Sequence, residues 1–412
     1  MKVFEKSFLQ QEPLPAAAIH AVTEVMQSGR LHRYDTTPEH PGEVALLEQA
    51  FAAYQGSRYC LACASGGYAL YIAMLATGVK PGHRVLCNAF TLAPVPGAIH
   101  NCGAIPLLVD TCPDLTIDLD DLEQKASQAE YLMLSHMRGH IGDMDRITAI
   151  CRQHKVILIE DCAHTLGARW DGRRSGSFGE VSCFSTQTYK HLNSGEGGLL
   201  VTDDPELIAR AIVLSGSYML FDRHLAAPDA ADIAALAKTT PNYSGRMDNM
   251  RAASLLGQLP CLDENCQRWN ERYGVLSEGL ARIDGITQPV RDPREHFVGS
   301  SIQFRLPTWS AQGIADLRDR CALRGVALKW FGEERPRGYT SRYDHWQFFA
   351  PESEGANPPG APLLPQTTEI LSTLLDMRIP LTFSEADCEW VATIITEEIS
   401  LGTAATEQPD AH

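Results

Sequence analysis

The sequence predicts an α/β protein with a mostly parallel central sheet flanked by helices, followed by a smaller α+β domain at the C-terminal end. Short apolar runs of strand length alternate with segments whose apolar residues recur at helical spacing, the pattern of βαβ units. The run at 156–159 (VILI) shows no polar alternation, which is typical of a strand buried on both faces. With 412 residues, 44% of them apolar, the chain exceeds the usual size of one hydrophobic core.

Taken in order, the elements of the first half begin with a helix at 14–28, which stops at Ser28 and Gly29. A second amphipathic helix covers 44–54, and a helix opens at Gly66. The predicted strands of the first half are 59–64, 85–87, 105–109, 131–134 and 156–159.

In the second half, strands at 181–184 and 199–201 precede a helix at 205–215. Helical patterns at 248–259 and 261–283 flank Pro260, where we place the domain boundary. The prediction is a large domain at 1–260, whose N-terminal segment 1–30 packs on the small domain, a small α+β domain at 261–400, a mobile loop at 351–362 and a disordered tail at 401–412.

An acid, a hydroxyl and an amine follow successive strands. Glu160 and Asp161 end the strand at 156–159, Ser185 ends the next strand, and Lys190 comes five residues later. Ligands of α/β sheets bind at the carboxyl ends of strands. These residue types suit pyridoxal phosphate, which needs a lysine for its aldehyde, a carboxylate that keeps its ring nitrogen protonated and donors for its phosphate. The simpler alternative for a lysine is a solvated surface charge.

Three stretches carry a family resemblance: EDCAHTLGA at 160–168, SGSFG at 175–179 and CFSTQTYKHLNSGEGG at 183–198. They resemble the DegT/DnrJ/EryC1/StrS family of pyridoxal-phosphate-dependent sugar and cyclitol aminotransferases, most of all the branch of scyllo-inosose aminotransferase and amino-hydroxybenzoate synthase. The resemblance implies the aspartate-aminotransferase-like fold, called fold type I. It implies the following roles: Lys190 bonds the cofactor, Asp161 faces the ring nitrogen, Ala163 packs on the ring, His164 approaches the phenolic oxygen and Ser185 binds phosphate.

Three positions depart from the family pattern. Gly66 and Gly67 open a helix, where backbone amides and the helix dipole favour an anion, but Gly67 stands where the family has a threonine. Leu92 stands where the family stacks an aromatic ring on the cofactor, and it covers the ring by dispersion alone. Ser244 replaces an asparagine in a motif that reaches the neighbouring subunit's phosphate, so the contact falls to Asn242, Ser244 or Arg246; a helix N-cap is the alternative role of Ser244.

Further basic and polar residues are candidates for substrate contacts. The resemblance places Arg33 and Tyr34, in the cationic segment 30–34, near the substrate pocket, and a solvated loop is the alternative. Arg138 suits bidentate binding of a carboxylate if it faces the pocket, and a surface role is the alternative. The pair His136 and His140 has a glycine between its members and does not share a helix face, so no metal site is predicted.

Composition excludes several partners. The chain has 35 basic and 51 acidic residues, a net charge of −16, which disfavours nucleic acid and anionic membranes. The 12 cysteines are scattered and are interpreted as reduced core thiols. The N-terminus lacks a hydrophobic signal region and no run reaches the length of a membrane span, so a soluble, cytoplasmic protein is expected.

By resemblance, the predicted activity is a ping-pong aminotransferase that moves an amino group from L-glutamate or L-glutamine to a keto-sugar or keto-cyclitol, as a homodimer with shared active sites. One alternative is a pyridoxal-phosphate-dependent dehydratase or lyase on the same fold. Lys190 argues against the family's 3-dehydratases, which carry histidine at that position. The other alternative, a non-catalytic regulatory homologue, is motivated by Gly67, Leu92 and Ser244.

Overall fold

The computed structural model describes residues 2–335, 342–346, 348 and 364–406. The loop predicted to be mobile at 351–362 lies outside the described residues, as does the end of the predicted tail from 407 onward. Among the described helices, none combines the length and the apolar character needed to cross a membrane.

A seven-stranded sheet forms the centre of the molecule, with strand order β1-β9-β8-β5-β4-β2-β3. All neighbouring pairs from β8 to β3 are parallel, while β9 runs antiparallel to both β1 and β8. The prediction of a mostly parallel sheet is therefore confirmed. The strands are β1 Tyr59–Cys63, β2 Arg84–Asn88, β3 Ile105–Val109, β4 Tyr131–Ser135, β5 Ile157–Asp161, β6 Arg169–Trp170, β7 Arg173–Arg174, β8 Val181–Ser185, β9 Gly198–Thr202, β10 Glu295–His296, β11 Ser301–Arg305, β12 Lys329–Trp330 and β13 Leu374–Arg378.

Helices flank this sheet, and apolar side chains of alternate strand residues pack into two separate clusters. In β4, Leu132 and Leu134 join one cluster, and Tyr131 and Met133 join the other. Because side chains alternate across a strand, the clusters lie on opposite faces, and the central strands are buried on both. The helices are α1 Ala16–Ser28, α2 Glu43–Gln55, α3 Gly66–Ala76, α4 Pro94–Asn101, α5 Leu119–Ala126, α6 Met144–His154, α7 Pro205–Ser215, α8 Ala230–Leu236, α9 Asn249–Gln258, α10 Leu262–Leu280, α11 Ala311–Leu323, α12 Pro365–Thr373 and α13 Glu385–Thr406.

The C-terminal part contains a second, antiparallel sheet with strand order β11-β13-β12. Its apolar face packs into a third core, to which Ile302, Phe304 and Met377 belong. Helix α10 contributes to two cores, since Trp269 packs with the large-domain residues and Leu276 with the small-domain residues. The two cores are thus joined by one helix that begins just after a short turn containing Pro260.

The two ends of the chain differ from the predictions in detail. Phe4 and Phe8 pack with the small domain, each with its ring centroid 4.9 Å from that of Phe383, but α1 lies against α9 of the large domain. Among the described residues of segment 1–30, Phe4 and Phe8 thus join the C-terminal core, while α1 packs on α9. At the other end, α13 continues to Thr406, so the beginning of the predicted disordered tail is helical.

Candidate active site

The two acids at the end of β5 have different roles because consecutive strand residues point to opposite faces. Glu160 is fully buried and accepts hydrogen bonds from the amides of Phe178 (2.8 Å) and Gly179 (2.7 Å) and lies 3.1 Å from His136. His136, Glu160 and Cys162 offer ligand atoms within 4.8 Å of one another. The hydrogen bonds to Glu160 satisfy its carboxylate without a metal and fix the loop after β7, so its role is structural.

Asp161 points to the other face and is the candidate partner of a ring nitrogen. Its Oδ1 accepts from the amide of Ala163 (3.1 Å) and its Oδ2 from the hydroxyl of Ser135 (3.1 Å), which in turn accepts from Thr91 (2.8 Å). Burial raises the pKa of Asp161, against the opposing effects of the Ala163 amide and the charge of Lys190. A buried carboxylate of this kind is stabilised by a cationic partner, which a protonated pyridine nitrogen provides.

Lys190 and His164 are brought together, with Lys190 Nζ 2.7 Å from His164 Nε2. Burial, and after it the positive charge of Arg138, lowers the pKa of Lys190 to about 7, against the raising effect of Asp161. Burial and the charge of Lys190 also hold the pKa of His164 well below its usual value. A neutral lysine amine is a nucleophile, so this environment prepares Lys190 for bonding to an aldehyde.

The helix start at Gly66 meets the end of β8. A Cβ atom on Gly66 would lie 2.8 Å from Ser185 Cβ, whereas one on Gly67 would meet nothing nearer than Pro94 Cβ at 3.5 Å. Ser65 caps the helix by accepting from the amide of Tyr68 (3.1 Å). The first-turn amides and the Ser185 hydroxyl thus converge on one place, which is suited to a phosphate dianion.

Leu92 is partly buried and packs on a small apolar cluster that includes Phe90 and Phe331. Phe90 is fully buried, with its ring edge-on to that of Phe331 at 5.1 Å, so it is a core residue and does not replace the family's stacking ring. Any cover of the cofactor from this segment comes from the aliphatic Leu92.

Arg33 and Tyr34 lie in a buried network. Arg33 forms a two-point ion pair with Glu48 (2.9 and 3.0 Å), and its side chain is 1% exposed. The Tyr34 hydroxyl lies 2.9 Å from His224 Nε2, and Glu48 also accepts from the amide of Ala62 (2.8 Å). Despite burial, the charge of Arg33 holds the pKa of Glu48 at about 2. The prediction that Arg33 and Tyr34 contact the substrate is therefore not supported, because Arg33 is paired with Glu48 and the Tyr34 hydroxyl with His224.

Hydrogen bonds within the same chain hold the segment 242–246. Arg246 donates to the carbonyl of Gly216 (2.8 Å) and to the hydroxyl of Ser244 (2.9 Å). Asn242 accepts from the amide of Ser244 (2.9 Å), and both of these side chains are exposed. Ser244 has a left-handed backbone (φ 55°) and does not cap α9, a task that Asp248 performs.

Arg138, a candidate from the sequence, lies with charged residues of the C-terminal part that sequence reasoning missed. Its Nη2 lies 2.7 Å from Asp376 Oδ2, and Arg378 stacks on the ring of Tyr189 with its guanidinium carbon 3.5 Å from the centroid. Lys329 lies opposite Asp376 in the small sheet. The alternation of polar and apolar residues in SIQFR (301–305) and LLDMR (374–378) was the signal available in the sequence, since it predicts a sheet with one polar face.

Pyridoxal phosphate fits this arrangement. Asp161 ends β5, Ser185 ends β8, and Lys190 follows β8. Gly66 has no side chain, which leaves room beside Ser185 for the phosphate; we call this place the phosphate corner. The fold and the site together define a pyridoxal-phosphate-dependent enzyme of the aspartate-aminotransferase fold.

The chain belongs to the DegT/DnrJ/EryC1/StrS aminotransferase family, whose model matches residues 14–324. It is 32% identical to GDP-perosamine synthase of Caulobacter vibrioides over 277 residues, 66% of this chain and 71% of that protein. It is 32% identical to L-glutamine:2-deoxy-scyllo-inosose aminotransferase of Micromonospora echinospora over 291 residues, 68% of this chain and 67% of that protein. The crystal structure of 3-amino-5-hydroxybenzoic acid synthase matches 97% of this chain and 100% of that chain, with a TM-score of 0.82 and 25% identity.

Two neighbouring glycines provide a matched test of the phosphate corner. Gly66→Ala forces a methyl group against Ser185 and should lower the free energy of unfolding by about 1–3 kcal/mol, the usual cost of overpacking. Gly67→Ala has room and should change it by no more than about 1 kcal/mol, in the stabilising direction. Urea unfolding and equilibrium dialysis of pyridoxal phosphate with each apoprotein measure the two effects. Equal losses of stability and cofactor affinity in both variants would contradict the close approach of Gly66 and Ser185.

The lowered pKa of Lys190 predicts a pH profile. Below the pKa the amine is a non-nucleophilic ammonium ion, so acylation of Lys190 in the apoprotein should accelerate as pH rises through about 7 and then level off. Peptide mass spectrometry after brief treatment with acetic anhydride measures the rate, and N-acetyl-lysine amide in the same tube is the control with an ordinary pKa of about 10.4. A rate that keeps rising in parallel with the control up to pH 10 would show that Lys190 is solvated.

Proposed function

We propose that the protein is a ping-pong aminotransferase that takes an amino group from L-glutamate or L-glutamine and gives it to a ketone of a sugar or cyclitol. The observation that carries the proposal is the position of Lys190 beside His164 and near the buried Asp161. The pKa of Lys190 is lowered there, and the charge of Asp161 opposes part of that lowering. The names of the relatives from Caulobacter vibrioides and Micromonospora echinospora support amino transfer to sugar-like or cyclitol acceptors.

Each residue has a task in this reaction. When bound, pyridoxal phosphate supplies an aldehyde that exchanges amino groups and a ring that withdraws electrons from the reacting carbon. Asp161 keeps the ring nitrogen protonated, and the Ala163 amide and Ser135 hydroxyl orient its carboxylate. Lys190 Nζ removes the proton from the donor's Cα and later returns a proton, so one amine acts as base and acid in both halves. Neutral His164 lies within hydrogen-bond distance of Lys190 Nζ and positions it.

Replacement of Lys190 tests the proposed reaction. Lys190→Ala should lower turnover by about 10²–10⁴-fold or more, because general acid-base catalysis and cofactor attachment are lost together. The measurement is release of 2-oxo acid from L-glutamate and L-glutamine with a panel of keto-sugars and keto-cyclitols, alongside borohydride reduction and peptide mapping. Lys80→Ala, an exposed lysine before β2, is the control and should keep wild-type rates. Undiminished amino transfer by Lys190→Ala would refute the assignment.

We further propose that the enzyme is a cytoplasmic homodimer in which segment 242–246 of each subunit reaches the phosphate of the other. Gly67 supplies no hydroxyl, so the phosphate needs donors beyond Ser185 and the helix amides. Asn242 and Ser244 are exposed and available for this contact, whereas Arg246 is already bonded within its own subunit. An isologous dimer builds two equivalent sites from two copies of one surface.

Hybrid dimers test the shared site. Ser244→Asp adds a charge that repels phosphate at a left-handed position that aspartate tolerates, and it leaves the bonds of Arg246 to Gly216 in place. Mixing Ser244→Asp with Lys190→Ala under subunit exchange should restore up to about a quarter of wild-type activity, because both defects then fall in one of the two sites. Each variant incubated alone is the control. No recovery despite confirmed exchange, or a fully active monomer in sedimentation, would show that each chain completes its own site.

A further inference from the structure

His191 follows Lys190 in the chain and is buried, with 6% of its surface exposed. Its Nδ1 lies 2.7 Å from the carbonyl oxygen of Leu166, and its Nε2 lies 2.9 Å from the hydroxyl of Ser300. A carbonyl oxygen only accepts hydrogen bonds, so Nδ1 carries the hydrogen and Nε2 accepts from Ser300. Burial lowers the pKa of His191 to about 4, against the raising effect of the Leu166 carbonyl. The ring is therefore neutral at neutral pH, in one tautomer.

The contacts of the His191 ring join segments that are far apart in the chain. Leu166 is two residues after His164, is 2% exposed and packs in a core of the large domain, so its carbonyl is a fixed acceptor. Ser300 comes directly before β11 of the small domain. The ring also lies against Trp269 of α10, with the two ring centroids 5.0 Å apart. His191 thus ties its own segment to the turn that carries His164 and to the small domain.

The bond to Leu166 bears directly on the contact between Lys190 and His164. Lys190 Nζ and His164 Nε2 lie 2.7 Å apart, although the two residues stand on different segments. The bond from His191 to Leu166 joins these segments one residue from Lys190 and two residues from His164. A lysine side chain has many rotamers, so the position of its amine depends on how firmly its backbone and its partner are held. A misplacement of about 1 Å can lower a catalytic rate about 100-fold.

We propose that His191 is a positioning residue of this site, which holds the amine of Lys190 against His164 through the bond from its Nδ1 to the Leu166 carbonyl. This inference rests on the proposed aminotransferase function. The Ser300 hydroxyl supports the bond, since by donating to Nε2 it keeps the hydrogen on Nδ1. The place of the hydrogen-bond donor on residue 191, more than the bulk of its side chain, is then what the reactivity of Lys190 requires.

Two amide variants separate this role from packing. The side-chain nitrogen of asparagine can take the place of Nδ1, and that of glutamine the place of Nε2. Both variants lack the ring on Trp269, so packing alone predicts similar losses. His191→Asn should keep the midpoint of Lys190 acylation in the apoprotein near pH 7. His191→Gln should raise that midpoint by at least about one pH unit, because a loosened lysine is better solvated.

The acylation is measured with acetic anhydride and peptide mass spectrometry, with N-acetyl-lysine amide in the same tube as the control, and urea unfolding compares the stabilities of the two variants. His191→Leu, which has nearly the shape of asparagine but no donor, replaces His191→Gln if that variant does not fold, and the same rise of the midpoint is expected.

Steady-state kinetics of the holoenzymes give a second readout. Because His191 acts on the lysine and not on the substrate, His191→Gln should lower kcat at least about tenfold with little change in KM, and His191→Asn should keep kcat within about threefold of the wild type. Equal changes in the two variants, in acylation or in kcat, would overturn the positioning role and leave the aminotransferase proposal standing. So would a rise in KM alone. Absence of amino transfer by the wild type, with the acylation midpoints of the variants still apart, would overturn the proposed function alone.

Discussion

The lowered pKa of Lys190 is the feature on which the rest of the site depends. Its low pKa comes first from enclosure and then from Arg138, which follows β4, and Arg378, which ends β13. Arg138 lies at the central sheet and Arg378 in the C-terminal antiparallel sheet, so the reactivity of one lysine depends on how the two sheets are assembled. Enclosure is the larger of these effects, and the two guanidinium charges add to it.

Contacts between the central sheet and the C-terminal part near the site include polar pairs as well as the apolar cluster that holds Phe90 and Phe331. His140 meets Gln303, Arg138 meets Asp376, and His191 lies 2.9 Å from the hydroxyl of Ser300. Behind them α10 carries apolar side chains into both cores, which fixes the domains relative to each other. Buried polar pairs favour one geometry more strongly than apolar packing does, because a buried polar group that loses its hydrogen-bond partner costs desolvation free energy.

The positions that depart from the family pattern differ in how strongly their surroundings constrain the residue. Gly67 has space for a side chain, so the missing threonine is a loss of a donor and not a steric requirement, whereas Gly66 is required by its contact with Ser185. Leu92 packs on an apolar cluster that also holds Phe331 of the small domain. These changes concern predicted cofactor contacts, and the cluster of Asp161, His164 and Lys190 forms without them.

The sequence alone determined the order and nature of the main elements. The strands and helices predicted between 59 and 215 lie within two residues of the observed bounds, because apolar periodicity and turn residues are local signals. It also predicted that Asp161, Ser185 and Lys190 lie at one edge of the sheet, since the carboxyl ends of neighbouring parallel strands meet there. Tertiary structure alone decided that Arg33 is a buried partner of Glu48 and that α1 packs on α9. It also decided that Arg138 and Arg378 act on Lys190, because a charged side chain's role depends on which distant residues share its low-dielectric surroundings, and no local pattern encodes that choice.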